Sequence, residues 1–244
     1  MAHGAPDFQN VGVMATVFGV YDLGELGVRL GSIDTYDRRG NVIWLDGVED
    51  GLAPYYTASD GTGASVAQSN AASRNGGYSI ALTAGSDGSH SARARRYHGQ
   101  AIAGKMGFES SFALSAAVGD YTITINLYDG TRLTSYGLKY DPALAKLYIL
   151  QLVMGLAVWT EVGDLDLFNH QHLFHTLKLV VDTDADAYIR LMLDALTFDL
   201  SAYTPYSVAN ASNPYVNWDH LYTGRLGQND VLYLDDFILT QNEP

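Results

Sequence analysis

Apolar and polar side chains alternate along much of this chain with the period of a β-strand. Over residues 121–127, every second side chain is apolar or aromatic and the intervening ones are threonine or asparagine, which is the pattern of a strand buried on one face. Asp129 and Gly130 follow at once, and this dipeptide favours a tight hairpin turn. The pattern therefore predicts two antiparallel strands, over residues 121–128 and 133–140.

Similar runs recur along the rest of the chain, with turn residues between them. They predict further strands over residues 78–83, 92–97, 107–114, 146–152, 157–162, 175–182, 187–193 and 231–240. Many short strands with almost no helical pattern between them indicate an all-β fold, an antiparallel jelly-roll β-sandwich. We assign this sandwich to residues 41–244.

The one helical pattern lies near the N-terminus. Leu23, Leu26 and Leu30 fall at helical spacing behind Asp22, a residue suited to the helix N-cap. We therefore predict an N-terminal arm, residues 1–40, that carries one short helix. A short amphipathic helix needs a surface to cover its apolar side. That surface is either a partner to which the arm attaches or the chain's own sandwich, and the sequence leaves both open.

Composition excludes several classes of protein. The formal net charge of −13 argues against a nucleic-acid partner. The chain contains no cysteine, so disulfides and thiolate metal sites are ruled out. No apolar run reaches the roughly 18 residues of a membrane span, and the first residues lack the pattern of a secretory signal. We expect no membrane partner and synthesis in a cytoplasm.

A catalytic site is not expected. Glycoside hydrolysis needs two carboxyl groups set across a cleft, and sandwich glucanases carry them on one strand as Glu-x-Asp-x-x-Glu. The nearest approach here is Glu161, Asp164 and Asp166, which has different spacing and no second glutamate. No nucleophile elbow, phosphate loop or dinucleotide motif is present. We therefore predict a protein that is not an enzyme.

One aromatic stretch stands out as a candidate binding surface. It lies among Pro, Asn and Ser and contains Tyr203, Tyr206, Tyr215, Trp218 and Tyr222. Aromatic rings in a polar loop can stack on sugar rings or form a protein interface rich in Tyr and Trp. The alternative is a long loop that folds its rings beneath itself.

Four segments resemble β-sandwiches of the concanavalin A-like, laminin-G-like and carbohydrate-binding-module families. They occur in the same order as in those families, at residues 42–56, 75–82, 175–194 and 232–239. In several such modules a glutamate after the first strand and an aspartate of the last strand bind a structural calcium ion. The matching positions are Glu49 and Asp236, with Asp46 beside them, and a hard cation prefers such oxygen ligands. The resemblance thus implies either a structural calcium or no cofactor at all.

The whole chain also resembles a class of phage proteins that begin with a similar arm and continue into a sandwich. The resemblance rests on Met-Ala-His-Gly-Ala-Pro-Asp-Phe at the start and on residues 37–44. It implies a virion surface component, such as a capsid decoration protein, made in the host cytoplasm. The expected partners are further copies of the chain in a homo-oligomer, with a trimer the favoured form, a capsid lattice, and glycans. The alternative is an extracellular carbohydrate-binding module of a polysaccharide-acting system.

Overall fold

The computed structural model describes residues 40–99, 103–116 and 119–244. The predicted arm, residues 1–40, lies outside these ranges except for Gly40, and so does its predicted helix. Every regular element in the described ranges is a β-strand, so the all-β sandwich prediction is confirmed. No helix there has the length and apolar character needed to cross a membrane.

The described strands form two antiparallel sheets. Sheet I contains β1 (Asn41–Asp46), β3 (Ser65–Ser69), β4 (Ser79–Thr83), β6 (Lys105–Leu114), β11 (His175–Asp182), β12 (Ala187–Leu193), β13 (Leu196–Asp199) and β16 (Val231–Gln241). Sheet II contains β2 (Tyr56–Asp60), β5 (Ser91–Gly99), β7 (Asp120–Tyr128), β8 (Arg132–Asp141), β9 (Lys146–Val153), β10 (Leu156–Asp164), β14 (Tyr206–Ala209) and β15 (Tyr215–Thr223).

Strand order brings together segments that are far apart in the chain. Sheet I runs β13-β12-β11-β6-β16-β4-β3, with β1 paired to part of β16. Sheet II runs β10-β9-β8-β7-β15-β5-β2, with β14 paired to part of β8. The predicted hairpin at Asp129 and Gly130 joins β7 to β8, and its register pairs Tyr128 with Leu133.

The core lies between the two sheets and consists of the inward-facing side chains of both. Phe108 and Phe237 of sheet I pack edge-on against Trp218 of sheet II, with ring centroids 5.5 and 5.6 Å apart. Such aromatic pairs add to the stability that apolar burial provides. Because successive side chains of a strand alternate between faces, the residues between these core positions point away from the sandwich.

The structure differs from the sequence prediction mainly in the segment from Tyr203 to Tyr222. It is not an irregular loop, because β14 and the nine-residue strand β15 occupy most of it. β15 lies inside sheet II, between β7 and β5. Its alternation was hard to recognise because both of its faces carry a mixture of aromatic and polar side chains.

Candidate functional site

The outward face of sheet II carries a continuous row of aromatic and amide side chains. Cross-strand pairing aligns Tyr97 with Asn217, Asn217 with Asn126, Asn126 with Ser135, and Ser135 with Tyr206. Residues paired across neighbouring strands share a face of the sheet. The row crosses five strands, which at about 4.8 Å per strand spacing is a length of about 19 Å.

The middle of this row is a chain of side-chain hydrogen bonds. The Ser135 hydroxyl donates to Asn126 Oδ1 at 2.6 Å, and Asn126 Nδ2 donates to Asn217 Oδ1 at 2.9 Å. Asn217 is 2% exposed and Asn126 is half-buried. Each bond fixes the orientation of the next side chain, so the polar groups at the centre of the row are held in place.

Tyrosine rings enclose the amide groups. Tyr97 and Tyr206 lie at the two ends of the row. Two residues along β15 from Asn217, and on the same face, Tyr215 pairs with Tyr128. Their rings stack with centroids 4.3 Å apart and planes at 25°. Burial, followed by the Tyr128 hydroxyl, raises the pKa of Tyr215 to about 12, so its hydroxyl keeps its proton. We call these seven residues, Tyr97, Tyr128, Tyr206, Tyr215, Asn126, Asn217 and Ser135, the tyrosine–amide row.

A cluster of two arginines and one aspartate borders the row. Arg95 Nη2 lies 2.7 Å from Asp219 Oδ2, and Arg93 Nε lies 3.2 Å from the same oxygen. The Arg95 guanidinium also lies over the rings of Tyr56 and Tyr97, at 5.9 and 5.8 Å from their centroids. Burial opposes its charged form, but the hydrogen bonds to Asp219 and then to Tyr97 raise the pKa of Arg95. The two arginines therefore share one carboxylate, which offsets one of their two positive charges.

A second aromatic cluster lies further along the same face. Lys139 Nζ is 4.6 Å from the centroid of the Tyr148 ring and 5.8 Å from that of Trp159, within the range of a cation–π contact. The Trp159 ring lies over Gly137, where an added Cβ atom would come within 3.0 Å of it. We call Lys139, Tyr148 and Trp159 the lysine cluster.

The structure separates the five aromatic residues that the sequence grouped together. Tyr206 and Tyr215 belong to the tyrosine–amide row, whereas Tyr203 is half-buried and packs against the core. Trp218 and Tyr222 are 1% and 0% exposed and face the core from β15. The expectation that these two rings form a binding surface is wrong, because they take the inward positions of a strand and not positions in a loop.

The three carboxylates proposed for calcium do not form a shared group. Asp46 accepts hydrogen bonds from the Val48 backbone and the Tyr55 hydroxyl. Glu49 Oε1 accepts from two backbone N–H groups, at 2.9 and 3.0 Å. Asp236 forms a 3.0 Å ion pair with Arg74. Among the described residues no cluster of three or more metal-ligating side chains occurs, and each of the three carboxylates has its own protein donors.

Sequence reasoning missed most of the row. Tyr97, Tyr128, Asn126 and Ser135 fell inside predicted strands and were assigned no role beyond the sheet. Asn217 belongs to β15, for which the sequence predicts a polar loop. The signal that was available is the alternation within residues 121–128, which places Asn126 on the polar face of a strand that ends in a tyrosine.

No protein-family model matches the sequence, and comparison with curated protein sequences finds no significant match. The fold does match solved structures. A Bacillus subtilis protein of unknown function with a galectin-like fold has a TM-score of 0.54 and 11% identity, covering 84% of this chain and 97% of that one. A conserved carbohydrate esterase from the Shiga toxin-encoding bacteriophage phi24B has a TM-score of 0.53 and 14% identity, covering 84% and 100%.

A third similar structure is the carbohydrate recognition domain of Emp46p in its potassium-bound form. It has a TM-score of 0.52 and 10% identity, and the match covers 84% of this chain and 96% of that domain. At such low identity these likenesses show the fold and nothing more. The chain is thus a β-sandwich of the galectin-like, jelly-roll class, with an ordered row of tyrosine and amide groups on the outward face of sheet II.

Proposed function

We propose that this protein binds carbohydrate along the tyrosine–amide row. The observation that carries the proposal is the row itself, in which Asn126, Asn217 and Ser135 lie between Tyr97 and Tyr206. A sugar ring presents C–H groups on its faces and hydroxyl groups at its edge. Tyrosine rings match the former, and the half-buried Asn126 amide, which Ser135 and Asn217 hold in orientation, can donate to and accept from the latter.

The similarly folded structures support this proposal at the level of fold. They include a carbohydrate recognition domain and a phage carbohydrate esterase. The length of the row, about 19 Å, suits an extended polysaccharide segment better than a single sugar. We propose binding without cleavage, because the central carboxylate beside the row, Asp219, is engaged by Arg93 and Arg95.

Affinity electrophoresis against a panel of neutral and acidic polysaccharides tests the proposal. The wild-type chain is expected to be retarded by at least one polymer, and the double variant Tyr97→Ala/Tyr206→Ala is expected to lose that retardation. Tyr78→Ala is the matched control, since Tyr78 is 42% exposed, much like Tyr97 at 46%, and lies outside the row. Loss of retardation in the control as well would refute the assignment. Release of reducing ends during incubation would contradict binding without cleavage.

We further propose that the glycan-binding sandwich serves at the surface of a phage particle. Support comes from the resemblance of the chain to phage proteins and from the bacteriophage origin of one similarly folded structure. The protein would then act as a homo-oligomer attached to a capsid lattice. Light scattering is expected to give the mass of a discrete oligomer. A monomer at all concentrations would favour the alternative, an extracellular carbohydrate-binding module.

A further inference from the structure

Most cationic side chains of the described residues are compensated by a carboxylate. Those within salt-bridge distance of one are Arg74, Arg93, Arg95, Arg132, Lys146, Lys178, Arg190 and Arg225. The others in the described ranges are Arg96, Lys105 and Lys139. Arg96 donates to the Pro54 carbonyl and lies over Trp44, and Lys105 is exposed on sheet I. Lys139 is the one that belongs to the outward face of sheet II.

Lys139 has no carboxylate within salt-bridge distance among the residues that the structure describes. Its neighbours on β8 at positions 138 and 140 point into the core, so its own side chain points outward. Tyr148 is its cross-strand partner on β9, and the rings of Tyr148 and Trp159 hold the ammonium group. Contacts with two rings orient the charge but do not neutralise it. The chain has 27 Asp and Glu against 14 Lys and Arg. An ammonium group without a described carboxylate partner is therefore unusual in it and indicates a binding role.

The lysine cluster and the tyrosine–amide row lie on the same face. Lys139 is four residues along β8 from Ser135, which at about 3.3 Å per residue is a separation of about 13 Å. The two positions point to the same side because they differ by an even number of residues. A polysaccharide segment that contacts the row can therefore extend to Lys139.

We propose that Lys139 binds an anionic group of the glycan, so that the protein recognises an acidic polysaccharide. The inference rests on the proposed carbohydrate-binding function and specifies its ligand class. A lysine ammonium group binds carboxylate or sulfate as a compact point charge. On this face Arg93 and Arg95 share the carboxylate of Asp219, whereas Lys139 has no described carboxylate within salt-bridge distance. Tyr148 and Trp159 would offer further ring surface to the sugar that carries the anion.

The test compares charged and neutral forms of the same polymers by affinity electrophoresis. The probes are polygalacturonate and its carboxyl-reduced form, and dextran sulfate and dextran, so that the uronate and sulfate sources are distinguished. Lys139→Met keeps an apolar chain of similar length against the two rings and removes the charge. Lys139→Arg restores a cation, and Lys105→Met is the matched control on the opposite sheet.

For Lys139→Met we expect affinity for the acidic polymer about tenfold weaker than for wild type, as for loss of a charge-assisted contact. Lys139→Arg and Lys105→Met are expected to bind like the wild type, and raising the salt concentration should weaken wild-type binding. Equal binding of neutral and charged forms, or an unchanged Lys139→Met, would overturn the inference while leaving the carbohydrate-binding proposal intact. Retention of none of the polymers would contradict both.

Discussion

The hydroxyl of Tyr188, which belongs to sheet I, accepts a 2.8 Å hydrogen bond from the backbone nitrogen of Gly137 in sheet II. It also donates to the Leu150 carbonyl at 2.8 Å. These hydrogen bonds lie at the junction where β8 changes its pairing partner. β14 pairs with residues 132–135 of β8, and β9 pairs with residues 138–141. Tyr206 of the tyrosine–amide row pairs with Ser135 next to this junction, and the Trp159 ring of the lysine cluster lies over Gly137 itself.

Tyr188→Phe is expected to destabilise the fold. The change leaves the N–H of Gly137 and the carbonyl of Leu150 without this buried partner, at a cost of about 1–3 kcal/mol in the free energy of unfolding. Urea denaturation measures the difference, with Tyr78→Phe as a control whose hydroxyl lies on an exposed residue. Equal stability of Tyr188→Phe and wild type would show that the bridge does not support the junction.

Trp218→Ala is expected to lower the free energy of unfolding, because the Trp218 side chain lies in the core and not on a binding surface. The ring is buried against Phe108 and Phe237, and removing such a side chain costs about 3–5 kcal/mol. The midpoint of denaturant unfolding should therefore fall sharply. A variant with unchanged stability would mean that Trp218 is not a core residue and would reopen its role as a surface platform.

Acid is expected to weaken the fold through His220. Burial lowers the pKa of His220 to about 3, and its surroundings are the Tyr121 hydroxyl and the rings of Trp218 and Phe237. The unfolded chain takes up a proton near pH 6.5, whereas the folded chain does so only near pH 3. Stability should fall between these values by up to about 1.4 kcal/mol per pH unit from this residue.

Other histidines act on the same pH range, so the effect must be measured by substitution. Burial, and then Arg96, lowers the pKa of His98 to about 4, which adds to the loss in acid. Asp194 raises the pKa of His175 against the effect of its burial, which opposes that loss. His220→Gln should flatten the dependence of the unfolding free energy on pH from 6.5 to 4, whereas His172→Gln, an exposed control, should not. Parallel curves for His220→Gln and wild type would contradict this assignment.

Chelation is expected to leave the melting temperature unchanged. Asp46, Glu49 and Asp236 are each engaged by protein donors, and an Arg74 guanidinium pairs with the last of them. Differential scanning calorimetry with calcium and with chelator tests this expectation. A melting temperature that rises on addition of calcium would revive the structural-calcium hypothesis and would require Arg74 to move away.

The β7–β8 hairpin could be predicted because its alternation is clean and its turn carries Asp129 and Gly130. β15 could not be predicted, because its inward side chains include His220 and its outward side chains include Tyr215. Neither face of this strand is therefore purely apolar or purely polar. The tyrosine–amide row depends on cross-strand register, which local sequence does not encode for segments this far apart. Tyr206 and Tyr215 could be predicted as surface residues because they are aromatic residues in a polar stretch, but the same pattern includes Trp218, which is buried.

Carbohydrate binding at this site depends most directly on whether glycan contacts the tyrosine–amide row. Two-dimensional NMR of the side-chain amides during titration with oligogalacturonate, or with an oligosaccharide of whichever polymer the wild type retains, measures this contact. We predict large, saturable shifts for Asn126 and Asn217 and none for Asn75 and Asn169, which lie in loops and not on a strand of sheet II. Saturable shifts confined to Asn75 or Asn169, with Asn126 and Asn217 unchanged, would contradict it.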